Sequence, residues 1–421
     1  MQIPPLFLTK QSFVYAILAL SILFFIRFAL IYIEYRDFIA KPFYFTDAKV
    51  ISSKLKTKND KQYNIIKAKS TDGLSFFTLS FDKRMIELHS EIRVQIFPDE
   101  NIGFFDYLGT FFINSKIKQV IAPVDTSKST LSKKVKDLHP DERVGSFYNA
   151  IFFALPLSQE TRDAVAKLGV AHLVALSGFH LGILWSVIFA LSLLVYRPFQ
   201  ANFFPYRNAL LDVGLFAIVV LALYLWYVDF PPSLTRAFAM VFFGWLFLLL
   251  GLQILSFEFL AFIVALLLVL IPSYLVSLSF WFSVAGVFYI FLILTWFKES
   301  PKYLIAIVYI PLGVFLLMLP VTHIFFGVTN IYQLSSPVLS LVFIPFYPFS
   351  VLLHIIGFGD IFDSLLIVLF NLPDTVMTQE IFISRYVGLG YILLSFISIR
   401  YRYAFYGLLI FSLLLSLYIF T

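Results

Sequence analysis

Hydrophobic and polar positions change their spacing twice along this chain. Residues 13–33 are apolar without a break, long enough for one helix across ~30 Å of hydrocarbon, with Arg27 close enough to one end to snorkel. From 43 to 124 apolar and polar residues instead alternate in short stretches, TDAKVISSKLKT, KQYNIIKAKS, GLSFFTLSFD and EIRVQIF, divided by Asn59-Asp60, Thr71-Asp72-Gly73 and Pro98-Asp99. A period of two predicts strands, and Thr71-Asp72-Gly73 predicts a hairpin. Four or five strands in about 80 residues predict a small β-barrel of OB type, because closure leaves no long exposed edge. A generic five-stranded sandwich is the alternative.

Beyond 146 apolar runs follow one another with short breaks, at 173–195, 209–228, 234–250, 259–271, 274–297, 303–321, 331–356, 386–399 and 404–420. They predict a polytopic α-helical membrane protein with about 8–10 membrane segments. The run 331–356 is interrupted by Pro337, Pro345 and Pro348, and a proline removes a backbone donor and clashes with the preceding turn, so this segment is expected to be broken or re-entrant. Ser158 is placed to cap a helix over the residues that follow it. The expected organisation is a membrane anchor at 1–33, an OB-like β domain at 34–124, a Lys- and Ser-rich linker at 125–145 and a transmembrane domain at 146–421.

Composition agrees with a membrane protein: 60% of the 421 residues are hydrophobic and 13% charged, against roughly 25% charged in soluble domains. The anchor run lacks a small-residue cleavage site, so it is expected to be retained. Between Lys41 and Arg143 there are 18 Lys and Arg against 13 Asp and Glu, net +5 of the chain's +6, so a basic domain adjoins a nearly uncharged membrane body. That surplus permits attraction to a polyanion and equally serves to orient membrane loops. If the chain starts inside, Arg197, Arg207, Lys298 and Lys302 fall inside. A re-entrant 331–356 then also puts Arg400 and Arg402 inside and Asp360, Asp363, Asp374 and Glu380 outside, as the positive-inside tendency prefers. The chain has no cysteine, which excludes disulfides and thiolate sites. Its six histidines form no HxxxH or HxH pair, and no Gly-rich nucleotide loop occurs. No metal and no cofactor are expected.

The costliest polar features of the membrane body lie at 169–184, GVAHLVALSGFHLGIL, and at 231–240, PPSLTRAFAM. Polar groups persist in hydrocarbon mainly where they line a cavity or meet partners on other helices. Ser177 with His180 invites a serine nucleophile and base. Against that reading, Ser177 and Gly178 break or cap a helix while His172 and His180 bond to facing carbonyls. Ser233 is placed to cap the helix that the two prolines start, and Arg236 then lies in its first turn. There it either snorkels or pairs with Asp229, or it meets a phosphate at the helix N-terminus. Asn330 either caps a broken helix or faces a path.

His172, Leu173, Ala175, Ser177, Gly178 and His180 resemble the H-L-L-A-I-S-G-L-H-V signature of the ComEC family, the inner-membrane channel proteins of natural DNA uptake. Ser233, Arg236 and Ala237 are similar to that family's S-x-x-R-A element. YLVSLSFWFSVAG at 274–286 is similar to its G-F-Q-L-S-F-x-A-V-x-G helix, keeping Ser283, Ala285 and Gly286 but with Ser279 at a glycine position and Trp281 for the glutamine. Asn330 and Pro337 resemble its N-x-x-x-x-P element with the proline displaced. The resemblance covers about 146–356 and implies a conduit for single-stranded DNA, with His172, Ser177, Gly178, His180, Ser233, Arg236, Ser283 and Asn330 as candidates for the path. It also implies an external DNA receptor and a cytoplasmic motor or strand-binding protein as partners, and homo-oligomers are possible.

Many family members carry a metallo-β-lactamase-like domain. No H-x-H-x-D-H cluster occurs here, so the chain is expected to be a short, non-enzymatic member. The basic β domain is expected on the external, periplasmic side, where Lys56, Lys58, Tyr63, Lys67, Phe76 and Phe77 are candidates for holding a strand by phosphate contact and stacking. Two rivals remain. A secondary transporter for a small solute predicts two halves of similar hydropathy, which the sequence lacks. An intramembrane serine hydrolase requires a reactive Ser177.

Overall fold

The structure, a computed structural model, describes residues 7, 9–58, 61–80, 86, 90–121, 127–251, 256–373 and 379–420. The chain divides into two compact units, one of residues 7–127 with 261–278 and the other of 1–6, 128–260 and 279–421.

The first unit opens on α1 (Lys10–Ile39), started by Thr9 and Ser12 in a reciprocal capping box. Thirty residues extend ~45 Å at 1.5 Å each, and Phe38 is the one buried residue of this helix. A helix apolar on all sides and left unburied suits lipid. Strands β1 (Tyr44–Lys58), β2 (Lys61–Ser70), β3 (Ser75–Ser80) and β4 (Glu91–Phe97) follow, then a one-turn helix α2 (Phe104–Leu108), β5 (Thr110–Phe112) and β6 (Asn114–Ile121). Their order is β5-β3-β2-β1-β4-β6. The expected hairpin is present, with Gly73 at φ +90° where a side chain would be strained. The β3 side chains alternate in and out, and Val50, Ile66, Phe76, Ile92, Val94 and Ile96 form a fully buried core.

The ladder order ends at β5 and β6, which do not pair, so the ladder itself does not show the expected barrel closure. Its outermost strands, β5 and β6, are consecutive pieces of one extended stretch separated by Ile113, so they cannot pair with each other. Instead β5 runs parallel to β3, and β6 antiparallel to β4.

The second unit is helical. Residues 125–145, expected as a linker, contain α3 (Ser127–Leu138) and the start of α4 (Glu142–Phe153). Lys133, Lys134 and Lys136 form the wet face of α3, Val135 enters a core with Val144, Tyr148 and Ile151, and the Asp141 carboxylate caps α4 through the Arg143 N–H. Ser158 caps α5 (Gln159–Lys167), as its position predicts. The remaining helices are α6 (Ala171–Val174), α7 (Gly178–Phe203), α8 (Ala209–Tyr227), α9 (Pro232–Leu249), α10 (Phe257–Leu270, divided between the units), α11 (Leu278–Trp296), α12 (Lys302–Leu304), α13 (Ile310–Thr322), α14 (Ser336–Ile356), α15 (Asp363–Phe370), α16 (Arg385–Ile397) and α17 (Arg402–Phe420). Among the described residues seven helices are long and apolar enough to cross a membrane: α1, α7, α8, α11, the helix over Lys302–Thr322, the segment Ile331–Ile356 and α17. Hydroxyls tie several together inside the apolar body: the Tyr391 hydroxyl donates to Leu317 O (3.0 Å), and those of Tyr289 and Ser395 lie 3.1 Å apart.

One expectation about 331–356 is corrected. The segment is not broken: α14 is continuous over 21 residues. Pro337 lies in its first turn, where no donor is needed, and the bonds lost at Pro345 and Pro348 do not outweigh packing that buries Phe343, Tyr347, Ser350 and Leu353. Yet the chain does return. Short strands β7 (Val328–Thr329) and β8 (Gln379–Glu380) pair antiparallel, and Ile383 N donates to His323 O (2.9 Å), so residues flanking the excursion from 330 to 378 meet at its base.

Candidate functional site

Three helices, α7, α9 and α11, begin beside one another, and α14 packs along the first of them. The hydroxyl of Ser177 is the N-cap of α7, accepting from Phe179 N (3.3 Å), while Ser177 N donates to His180 Nδ1 (3.3 Å). This reciprocal cap engages both groups of the supposed nucleophile and base within a single turn. The His180 ring is fully buried, edge-on to Phe343 (5.1 Å) and Tyr347 (4.9 Å) of α14. His172 is exposed at the surface of α6, its Nε2 3.3 Å from the hydroxyl of Ser340. These histidines therefore meet a neighbouring helix through rings and a hydroxyl.

The start of α9 lies against the same turn. Ser233, expected to cap α9, donates instead to the carbonyl of Leu176, and the N-cap position is held by Pro231 without a side-chain bond. A Cβ at Gly178 would stand 3.3 Å from the Ala237 methyl, so the missing side chain is what lets α7 and α9 approach. Arg236 is 4% exposed, which excludes snorkelling. Its Nη2 donates to Ser279 Oγ at the start of α11 (2.8 Å), and its guanidinium lies 5.8 Å from the centre of the Phe280 ring. Asp229 receives the Lys128 ammonium at 2.9 Å.

On the other side of α6, Gly169 has φ +68°, and a Cβ there would sit 3.1 Å from Gln333. Its carbonyl accepts from the hydroxyl of Ser336, the first residue of α14 (3.2 Å). Asn330 caps the turn leading into α14 by accepting from Tyr332 N (3.1 Å).

The structure thus gathers His172, Ser177, Gly178, His180, Ser233, Arg236 and Asn330 from three stretches far apart in sequence. Ser283 is not drawn in: it is exposed, and Ser279 four residues earlier takes the arginine. Sequence reading missed Ser279, Ser336 and Ser340, whose signal was a hydroxyl in the first turns of an apolar helix. Each helix N-terminus carries partial positive charge on its first N–H groups, so three together with a guanidinium favour an anion. Beside them a cavity of about 380 Å³ is lined mainly by apolar side chains with Arg162 and Ser233.

In the β domain the candidates separate. Phe76 is fully buried, because alternation along β3 turns it into the core, and it cannot stack on a base. Phe77 points the other way with the Lys67 ammonium 5.5 Å from its ring centre, and Tyr63 is half-buried. Burial pushes the Lys67 ammonium below its ordinary value. Lys56 lies opposite Tyr63 in the β1–β2 register, but the side chains of Lys56 and Lys58 lie outside the described residues.

A comparison with curated proteins and with solved structures gives no match. A family model described as Competence protein matches residues 156–419, a stretch that contains α7, α9, α11 and α14. On that match and the motifs assembled at the junction, the chain belongs to the ComEC-type competence protein family.

Proposed function

We propose that this competence-family membrane protein is the inner-membrane channel through which single-stranded DNA enters the cell during natural transformation. The observation that carries the reading is the meeting of the N-terminal ends of α7, α9 and α11 around buried Arg236. A conduit for a polyanion must shield phosphates from hydrocarbon without trapping them. Helix ends, hydroxyls and one guanidinium supply attraction that is spread out and weak at each point. No covalent chemistry is required, and Ser177 acts as a helix cap rather than a nucleophile.

The β domain is taken to lie on the periplasmic side. Its pairing scheme, in which one stretch passes from β3 to β4 through Ile113, supports reading the curled sheet as an OB-type barrel. An external receptor would deliver the strand to it, and a cytoplasmic motor or strand-binding protein would draw it through. The deciding experiment is a strain lacking this protein, offered labelled DNA. It should bind DNA at its surface and accumulate none in the cytoplasm, with import restored by the full chain. Normal cytoplasmic accumulation without the protein would refute the channel.

A further inference from the structure

The strongest unassigned feature lies away from the junction of α7, α9 and α11, where α14 ends. His139, in the α3–α4 connection, and Asp363, first residue of α15, are both buried, with His139 Nδ1 2.9 Å from each carboxylate oxygen. On its other side, His139 Nε2 lies 3.0 Å from His354 Nε2, and His354 Nδ1 lies 2.7 Å from Ser350 O. The Tyr148 ring stacks on His139 at 4.6 Å and packs against His354 at 4.4 Å. Gly359 leaves room for the second imidazole, since a Cβ there would stand 2.8 Å from its Nε2.

We propose that Asp363, His139 and His354 form a proton-binding site that holds one proton more than an ionised aspartate and two neutral imidazoles carry. The argument is a count. The Ser350 carbonyl can only accept, so His354 Nδ1 carries a hydrogen and its Nε2 offers a lone pair. His139 Nε2 must then donate across the 3.0 Å contact. His139 Nδ1 either carries a hydrogen as well, making an imidazolium beside a carboxylate, or accepts one from a protonated Asp363. Both arrangements contain the same number of protons, and both leave the triad neutral overall, as burial favours. Removing that proton breaks one link in every tautomer: two lone pairs face each other, a lone pair faces Ser350 O, or the His139 Nδ1 lone pair faces the Asp363 carboxylate. It also leaves a buried net negative charge.

Other charges nearby add to the same balance. Burial works against positive charge on His354 itself, while Asp363 and Asp360, on the turn before α15, add negative potential there. On the α4 side stand the neutral Tyr148 ring, the Asp141–Arg143 pair and the exposed Lys136–Glu142 pair. While the proton is held, the triad joins the last turn of α14 to α15 and to the start of α4. The same helix packs Tyr347 against His180 two turns earlier, so release of the proton frees the far end of a helix that borders the junction.

The test is nitrogen NMR of the full chain, labelled with 15N-histidine and held in lipid nanodiscs, across a pH series, with His139→Gln and His354→Gln used to assign resonances. Expected are an Nδ1-protonated ring at His354, a proton held between the two Nε2 atoms, and a further proton held between His139 Nδ1 and the Asp363 carboxylate. Asp363→Asn should release that proton at a pH lower by about one to three units, because the partner charge is lost. Two neutral rings titrating independently in the unmutated chain would overturn the proposal. So would one equivalent of Zn²⁺ bound to the full chain and lost in either His→Gln variant, which would make the facing nitrogens a metal site.

Discussion

Arg236→Gln offers the sharpest test of the junction of α7, α9 and α11, because the structure gives Arg236 a structural duty as well as a place in the proposed path. Its bond to Ser279 is charge-assisted, worth about 1.5 to 3 kcal/mol, and its position over Phe280 adds about 0.5 to 2 kcal/mol when desolvated. Glutamine can keep a weaker bond to Ser279 and loses the charge, so α9 and α11 should lose about 2 kcal/mol of mutual hold. Ser279→Ala removes the same bond and keeps the cation. A purely structural arginine therefore predicts that both variants lower abundance to a similar extent and that import falls only in proportion. An arginine that meets passing phosphates predicts that Ser279→Ala imports DNA in proportion to its abundance, whereas Arg236→Gln imports almost none per molecule. Arg236→Lys, with charge but no planar fork, should fall between. Cytoplasmic uptake of labelled DNA divided by protein abundance on immunoblot separates the cases, and unreduced uptake per molecule by Arg236→Gln removes the arginine from the path.

The cysteine-free chain makes topology measurable: cysteines placed at the exposed positions Phe326 and Phe382 should react with an impermeant thiol reagent from the same side, since β7 and β8 join their neighbourhoods, and labelling from opposite sides would refute the return of the chain. In the β domain, Phe76→Ala should cost about 3 to 5 kcal/mol of stability by emptying a core site. Phe77→Ala should leave melting nearly unchanged and weaken salt-sensitive oligonucleotide binding by about 1 to 3 kcal/mol if Phe77 stacks on a base; equal binding by wild type and Phe77→Ala at low salt would exclude it. The Arg143 side chain holds the Asp141 carboxyl below the ordinary aspartate value. Folded protein thus binds fewer protons there than unfolded chain, so the contribution to stability is present above the ordinary carboxylate range and lost as pH falls through the lowered value. Asp141→Asn, which can still cap α4, should flatten that acid-side loss in a thermal melt, and an unchanged pH profile would show that the pair contributes nothing.

Signals confined to a few neighbouring residues were readable from sequence. Ser158 and Ser177 announce helix starts because a hydroxyl just before a helical run satisfies orphan N–H groups, and Gly73 announces a hairpin because its φ is positive. Where the outcome depends on which segments meet, the sequence is silent. Ser233 has the position of a cap but finds the Leu176 carbonyl 57 residues away, and His139 finds Asp363 across 224 residues. The prolines of α14 misled for the same reason: their local cost is real, but flanking helices decide whether a helix survives it. Phe76 and Phe77 differ only by strand parity, which requires knowing which face of β3 is inside.

The pairing of β7 with β8 has a consequence for the rest of the chain. A segment whose two ends are fastened together adds an even number of crossings, whether α14 penetrates halfway or reaches the far surface. The handedness of everything downstream, with α16 and α17 and the arginines between them, is therefore indifferent to the depth of the excursion. Variation in the length of 330–378 can alter the lining of the membrane body without inverting the helices that follow.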